Sequence, residues 1–300
     1  MKTKLFVILF AVLERIPDRV GIAVASFVAG LLGRRQSATR NTVTANVRAM
    51  LEATAHGAPI DEGLVKRLVQ RNFKTYGRYW AEGATLAAVS GSSISSRMVI
   101  AEGEDILRAA LAKGNGVVLA LPHVGSWEWG GAYLAHVGLA MTVVAERLEP
   151  EELFQFFVEK RTAMGLSVVP LGPDAGTALT KHLRNGGIVG LLCDRDILGG
   201  GQPTTLFGHP VTVPKGPATL ALRTGATLLA AIGYSGPNGQ HMALIQGPLD
   251  TNRVDGLRAD VTRVTESLTR TIEGLIARTP DQWHVFTPVY DEATTARILS

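Results

Sequence analysis

The sequence predicts an α/β fold: a single layered domain with a largely parallel central sheet flanked by helices, preceded by N-terminal helices at a membrane interface. Three observations predict it. From residue 101 onward, short apolar runs alternate with segments long enough for crossover helices, the texture of βα units. Residues 34–100 are instead mostly polar with a helical period. The first 33 residues hold two apolar runs, and neither reaches the roughly 18 uninterrupted apolar residues of a spanning helix.

The elements follow in order. "MKTKLFVILFAVLERIP" has the charged start and apolar run of a signal peptide. However, Glu14, Arg15, Asp18 and Arg19 follow at once, no small-x-small cleavage site is evident, and "VGIAVASFVAGLLG" comes next. The expectation is two short helices, residues 5–15 and 19–33, in or against the membrane interface. A signal or anchor segment, and helices packed on the protein's own core, are the two other readings. The chain then divides into residues 1–38, membrane-associating, and 39–300, catalytic.

"ATRNTVTANVRAMLEAT" reads as a helix, "HGAPIDEG" as a break and "LVKRLVQRNFKTYGRYWAEGATLA" as a second helix. In the latter Leu64, Leu68, Phe73, Tyr76 and Tyr79 recur as on one face, a core-facing stripe. Tyr76, Arg78, Tyr79 and Trp80 could alternatively line a groove. Strands are expected at 116–121, 141–146, 166–171, 187–194, 226–234 and 241–247. Crossover helices lie in "SWEWGGAYLAHVG", "EELFQFFVEKRTAMG" and "AGTALTKHLRNG", and a long amphipathic helix ends near Pro280. In such sheets the active groups gather at the carboxyl ends of the strands.

Composition narrows the partners. A chain of 300 residues can bury a substantial core, and 46% hydrophobic against 19% charged residues suits a protein that touches a bilayer. Eight Lys/Arg (Lys2, Lys4, Arg15, Arg19, Arg34, Arg35, Arg40, Arg48) face only Glu14 and Asp18 in residues 1–50, so this segment is +6 and the remainder of the +4 chain is −2. Such a segment favours an anionic membrane surface by about 1 kcal/mol per basic residue near it. No basic patch is interleaved with aromatics, which argues against nucleic acid. Cys193 is the only cysteine, which excludes an intrachain disulfide and a cysteine metal cluster. It lies in an apolar run and reads as a buried core thiol, as suits a cytosol-facing protein.

There is no G-x-S-x-G elbow, Walker A loop or G-x-G-x-x-G after the first strand, so serine hydrolase, NTPase and dinucleotide chemistries are disfavoured. Two histidines have an acid five residues on: His123/Glu128 and His56/Asp61. The second pair lies in the turn "HGAPID". The first follows the strand "VVLALP", which places the imidazole at a strand's carboxyl end. Ser126 is a candidate N-cap, which puts Glu128 in the first turn of the next helix, where negative charge is favoured. A carboxylate that fixes the imidazole's tautomer makes a competent general base. His182, His209, His241 and His284 share no metal-ligand spacing, so no catalytic metal is expected.

"HVGSWE", "AERLEPEELFQFFVEKRTAMG", "LLCDRD", "LFGHPVTVPKGPATLALRTGATLLAA" and "PDQW" occur in an order that resembles the lysophospholipid acyltransferase superfamily. The resemblance runs over about residues 10–290. The branch is that of bacterial lipid A secondary acyltransferases and phosphatidylinositol mannoside acyltransferases, and "YGRYWAE" and "AERLEPE" tilt towards the latter.

The resemblance implies transfer of a fatty acyl group from acyl-CoA, a co-substrate and not a cofactor, to a hydroxyl of a glycolipid or phospholipid acceptor. It implies work at the cytoplasmic face of the inner (plasma) membrane, as a peripheral or monotopic protein. It maps the base to His123 and its motif partner to Glu128, while Asp194 or Asp196 of "CDRD" could supply the carboxylate that touches the imidazole. Glu146, Arg161 and Arg195 match substrate-binding positions, where a guanidinium holds a phosphate or thioester-side anion. Alternatively Arg161 pairs with Glu152 or Glu159 on its own helix. Trp127 and Trp129 wall an acyl channel or fill the core, and "LGGGQ" (198–202) reads as a mobile loop because no helix follows it. Rival readings are a lipid A-type or lysophospholipid acyltransferase, a thioesterase or lipid hydrolase, and a non-catalytic lipid-binding protein.

Overall fold

A computed structural model describes residues 2–35 and 37–300; the side chains of residues 2–6, Lys2 and Lys4 included, fall outside the described part. The helices are α1 (Lys2–Leu13), α2 (Asp18–Leu32), α3 (Ala38–Thr54), α4 (Glu62–Thr85), α5 (Gly91–Arg97), α6 (Glu104–Ala112), α7 (Trp127–His136), α8 (Glu151–Ala163), α9 (Ala175–Arg184), α10 (Gly216–Thr224), α11 (Leu257–Ala277) and α12 (Glu292–Leu299). The strands are β1 (Met98–Glu102), β2 (Val117–Leu121), β3 (Met141–Ala145), β4 (Ser167–Pro170), β5 (Ile188–Leu192), β6 (Gln202–Leu206), β7 (His209–Val213), β8 (Thr227–Ser235) and β9 (His241–Gln246).

Seven strands form one sheet in the order β1-β9-β8-β2-β5-β3-β4. Strands β8, β2, β5, β3 and β4 are mutually parallel, while β9 runs antiparallel to β8 and carries β1 parallel to itself. The six expected strands are all in this sheet. Its central members β2 and β8 are buried almost throughout, as strands covered on both faces must be. On one face the core joins the sheet to α9, α10, α11 and part of α3, through residues such as Leu183, Leu220, Leu275 and Ala49. On the other face Leu107, Leu134, Met141, Leu166 and Leu229 pack between the sheet, α6 and α7.

Sequence reading missed the edge strand β1 and the β6–β7 hairpin. The hairpin turns on Phe207 and Gly208, both at positive φ (51° and 79°), the pattern of a tight hairpin turn in which asparagine or glycine is the usual signal. Phe207 is held there by burial against Trp283, ring centroids 5.6 Å apart, and by a backbone bond to Glu273.

The helical part preceding the sheet starts where local chemistry says it should. The Ser37 hydroxyl accepts from the Arg40 amide at the start of α3, and Asp61 accepts from the Gly63 amide at 2.7 Å to start α4. The His56/Asp61 pair is therefore a turn and a helix cap. Helix α2 lies along α4 so closely that a Cβ on Gly77 would collide with the Ala25 carbonyl and the Ala29 methyl. Phe10 and Leu13 of α1 pack on Ala81 and Ala84 of α4, with Trp80, Phe156 and Phe157 beside them. One side of α1 and α2 is thus packed on the protein. The other presents Ile8, Leu9, Val12, Val20, Val24, Phe27, Val28 and Leu31 outward, Phe27 at 65% exposure. Among the described residues no helix is long and apolar enough to cross a membrane.

Candidate active site

Strand register brings the site together. β2 and β5 pair in parallel with Leu121 opposite Leu192. His123 lies two residues beyond Leu121 and Asp194 two beyond Leu192, so the pairing sets them side by side where the strands end. Nδ1 of His123 is 2.6 Å from Oδ1 of Asp194, while Oδ2 accepts the His123 backbone N–H at 2.9 Å and the Trp283 Nε1–H at 2.8 Å. Burial at 1% exposure pushes the Asp194 carboxyl up, but the His123 charge and these three hydrogen bonds outweigh it and hold the group below its ordinary value. An ionised carboxylate only accepts, so in the neutral form of the ring Nδ1 carries the proton and Nε2 has the lone pair. The imidazole lines a cavity of about 1100 Å³, with Asp194 behind it.

The loop that carries His123 is clamped by β8 and by the segment after α11. The Gly125 N–H donates to the Gln282 carbonyl, Ser126 N–H to that of Gly233, and His284 N–H to that of His123, at 2.7–2.9 Å. Gly125 has φ +60°, and any Cβ there would strike the Gly233 carbonyl and Tyr234. Burial and the nearby His123 charge drive the His284 imidazole down to about 3, so it stands neutral behind the loop. Ser126 occupies the N-cap position of α7, but its side chain makes no cap hydrogen bond, contrary to expectation.

Glu128 does not touch the imidazole. It is buried in the first turn of α7, where Oε1 accepts from the Tyr79 hydroxyl at 2.9 Å and from Nη2 of Arg161 at 3.3 Å. Oε2 has no hydrogen-bond partner among the described residues. Tyr79 is raised well above the usual phenol value, by burial first and by the Glu128 charge second, so it stays a donor. Arg161 pairs with this glutamate and not with Glu152 or Glu159.

The remaining acids and cations also pair. Arg195 lies 3.7 Å from Glu146 and donates to the Thr287 hydroxyl at 2.7 Å. Asp196 turns away from His123 and accepts the Gly200 and Gly201 amides at 2.9 and 2.8 Å; a strand, not a helix, follows this glycine loop. The two tryptophans split. Trp127 lines the cavity, with its ring edge-on to His123 and tilted on Tyr79. Trp129 is core, between His241 on one face and the Arg97 guanidinium on the other.

His123, Glu128, Glu146, Arg161 and Arg195 all line the one cavity. From the mouth an apolar arm runs beside the sheet, floored by Leu121, Met141, Val143 and Leu166, with the Met141 thioether seated where Gly190 has no side chain. Polar groups at a mouth that leads into an apolar arm suit a ligand with a reactive head and a hydrocarbon tail. Trp283 and His284 are the contributors that had no assigned role in sequence; "PDQW" signalled Trp283 only as part of a motif order. Of the four residues that could line a groove, Tyr79 and Trp80 line the cavity and Tyr76 and Arg78 do not.

Two comparisons bear on this geometry. Residues 2–291 match the family described as bacterial lipid A biosynthesis acyltransferase. The phosphatidylinositol mannoside acyltransferase of Mycobacterium tuberculosis (strain ATCC 25618 / H37Rv) is 35% identical over 225 residues, 74% of this chain and 69% of that protein. The protein of the same name from Mycolicibacterium smegmatis is 34% identical over 224 residues, 74% and 71% of the two chains.

Proposed function

The chain belongs to the bacterial lipid A biosynthesis acyltransferase family and is an O-acyltransferase; from that premise we propose that it moves a fatty acyl group from acyl-CoA to a sugar hydroxyl of a membrane glycolipid, a phosphatidylinositol mannoside, with His123 as general base. The observation that carries this reading is the 2.6 Å contact of His123 with buried Asp194 at the wall of a cavity with an apolar arm.

In this reading Nε2 of His123 takes the proton of the acceptor hydroxyl as its oxygen attacks the thioester carbonyl. The imidazolium so formed is stabilised by Asp194, which keeps its charge. The tetrahedral intermediate collapses, the C–S bond breaks, and the thiolate leaves with the proton from Nε2. The products are an ester and free coenzyme A. A thioester is already activated, so positioning plus one base suffices, without a nucleophilic residue or a cofactor. Glu128, with Arg161 and Tyr79, orients the sugar, and Glu146 with Arg195 borders the same mouth.

The outward apolar face of α1 and α2 (residues 1–38 as a unit) rests in the interface of the cytoplasmic leaflet, where Arg15, Arg19, Arg34 and Arg35 meet anionic headgroups. The donor is then met on its own side of the membrane. The test is incubation with radiolabelled palmitoyl-CoA, with and without phosphatidylinositol mannoside. Labelled lipid that disappears in His123→Ala with the fold intact supports the reading; near-full activity of that variant overturns it. Free acid released without acceptor would mark a hydrolase.

A further inference from the structure

The cavity has a second arm, on the sheet face opposite the apolar one, in the groove between α9 and α10. Both helices lead into strands of the parallel set, so both run opposite to those strands and bring their C-terminal ends to the sheet end remote from His123. From α9 the cavity is lined by Thr177, Thr180, Lys181 and Arg184, one helical stripe at spacing i, i+3, i+4, i+7. From α10 it is lined by Gly216, Thr219, Leu220 and Arg223, the same spacing. Within the two stripes the charge sits at the far end, where they converge on Lys181, Arg184 and Arg223; a further cation of the cavity wall, Lys215, stands just before α10 at the mouth end.

These three cations are exposed and, among the described residues, have no ion pair or side-chain hydrogen bond. Arg161 and Arg195, the arginines at the mouth, are by contrast already held by Glu128 and Glu146. Beyond Lys215 the groove therefore offers a stretch lined by uncharged side chains that ends in unneutralised positive charge. At 1.5 Å per residue each stripe is about 10 Å long.

The geometry points to this groove as the seat of the donor's non-acyl half: the uncharged pantetheine amides lie along the threonine-lined stretch, and Lys181, Arg184 and Arg223 bind the phosphates of the nucleotide end. The proposal rests on the acyl-CoA reading above. The acceptor's phosphate is the weaker candidate. An acceptor anchored in a bilayer reaches the mouth, beside which α1 packs on Trp80 and Phe157, whereas the three cations lie at the far end of the sheet. A chain that passes through the mouth, acyl tail in one arm and handle in the other, places its thioester at His123.

The test uses the full chain carrying Arg184→Glu with Arg223→Glu, and Lys66→Glu, exposed near the start of α4 and outside the cavity lining, as the charge control. Calorimetric titration with coenzyme A and with pantetheine reads binding without turnover. The double variant is expected to bind coenzyme A about tenfold more weakly, as loss of charge-assisted contacts predicts, and pantetheine unchanged, with melting temperature and the Lys66→Glu control unaffected. In turnover the KM for palmitoyl-CoA rises by a similar factor, while palmitoyl-pantetheine and the glycolipid KM are unaltered. Unchanged coenzyme A binding, equal loss for palmitoyl-CoA and palmitoyl-pantetheine, or a raised KM for the glycolipid alone would each overturn the proposal. So would a wild-type chain that ignores coenzyme A and accepts only acyl carrier protein. If coenzyme A binding behaves as expected but no glycolipid is acylated, the groove stands and the acceptor reading falls.

Discussion

Trp283 donates its indole N–H at 2.8 Å to the Asp194 oxygen that also takes the His123 backbone N–H. A residue from the segment after α11 thus locks the carboxylate so that its other oxygen faces the imidazole. Trp283→Phe keeps the ring against Phe207 but removes the donor. Loss of one hydrogen bond to a charged acceptor corresponds to about a tenfold fall in kcat. KM for both substrates is expected to hold, because Trp283 does not line the cavity. Steady-state kinetics with a melting curve separates this from unfolding; an unchanged kcat would show that the backbone bond alone positions Asp194.

Asp194 and Glu128 make different contacts, and their amides should behave differently. Asp194→Asn presents an amide N–H or a weaker acceptor to Nδ1 and disturbs the tautomer that leaves Nε2 basic. A fall in kcat of about 1000-fold or more is expected, by analogy with an orienting carboxylate in an acyl-transfer triad. Glu128→Gln loosens Arg161 and Tyr79 without touching the imidazole, so the expected loss is about tenfold, read chiefly in the acceptor KM. Equal losses in kcat for the two variants would contradict this division.

That division was beyond the sequence because the order of strands in a parallel sheet is not a local property. His123 was legible, since an apolar run followed by proline marks a strand end. Its partner stayed open between Glu128 and Asp194, because β5 lies next to β2 only after the chain has gone out through β3 and β4 and come back. "HVGSWE" put Glu128 near in sequence; pairing put Asp194 near in space. The six expected strands were visible as apolar runs, whereas β1 shows a mostly exposed edge pattern and β6–β7 turns on a phenylalanine that packing holds at positive φ. The clamp by Gln282, Trp283 and His284 is tertiary, and no periodicity announces it.

His284 makes stability depend on pH in a definite direction. Its folded value, about 3, lies below the unfolded value near 6.5. Below pH 6.5 the unfolded chain takes up a proton that the folded chain refuses until about pH 3, so stability is full above 6.5 and falls as pH drops through that window. The slope from one such group is at most about 1.4 kcal/mol per pH unit. His241, also lowered by burial, adds to it. Urea unfolding of His284→Gln between pH 7 and 5, where carboxylates stay charged, should show a shallower decline than the wild type; an identical slope would mean that His284 titrates normally.

The outward face of α2 gives the membrane claim a test that spares the fold. Deleting residues 1–38 would uncover the flank of α4 at Gly77 and Ala81, so lost binding could reflect damage to the domain. Phe27 and Leu31 are four residues apart on one face, exposed and turned away from α4. Phe27→Asp with Leu31→Asp removes apolar area worth about 1.5–3 kcal/mol per side chain if fully buried in lipid and adds charge that anionic headgroups repel. Flotation with anionic liposomes should fall sharply while the melting temperature stays within a degree or two. Acylation of glycolipid presented in vesicles should fall with it, whereas acylation of detergent-dispersed acceptor should persist, because neither residue lines the cavity. Undiminished flotation would move the membrane contact to another surface of the chain.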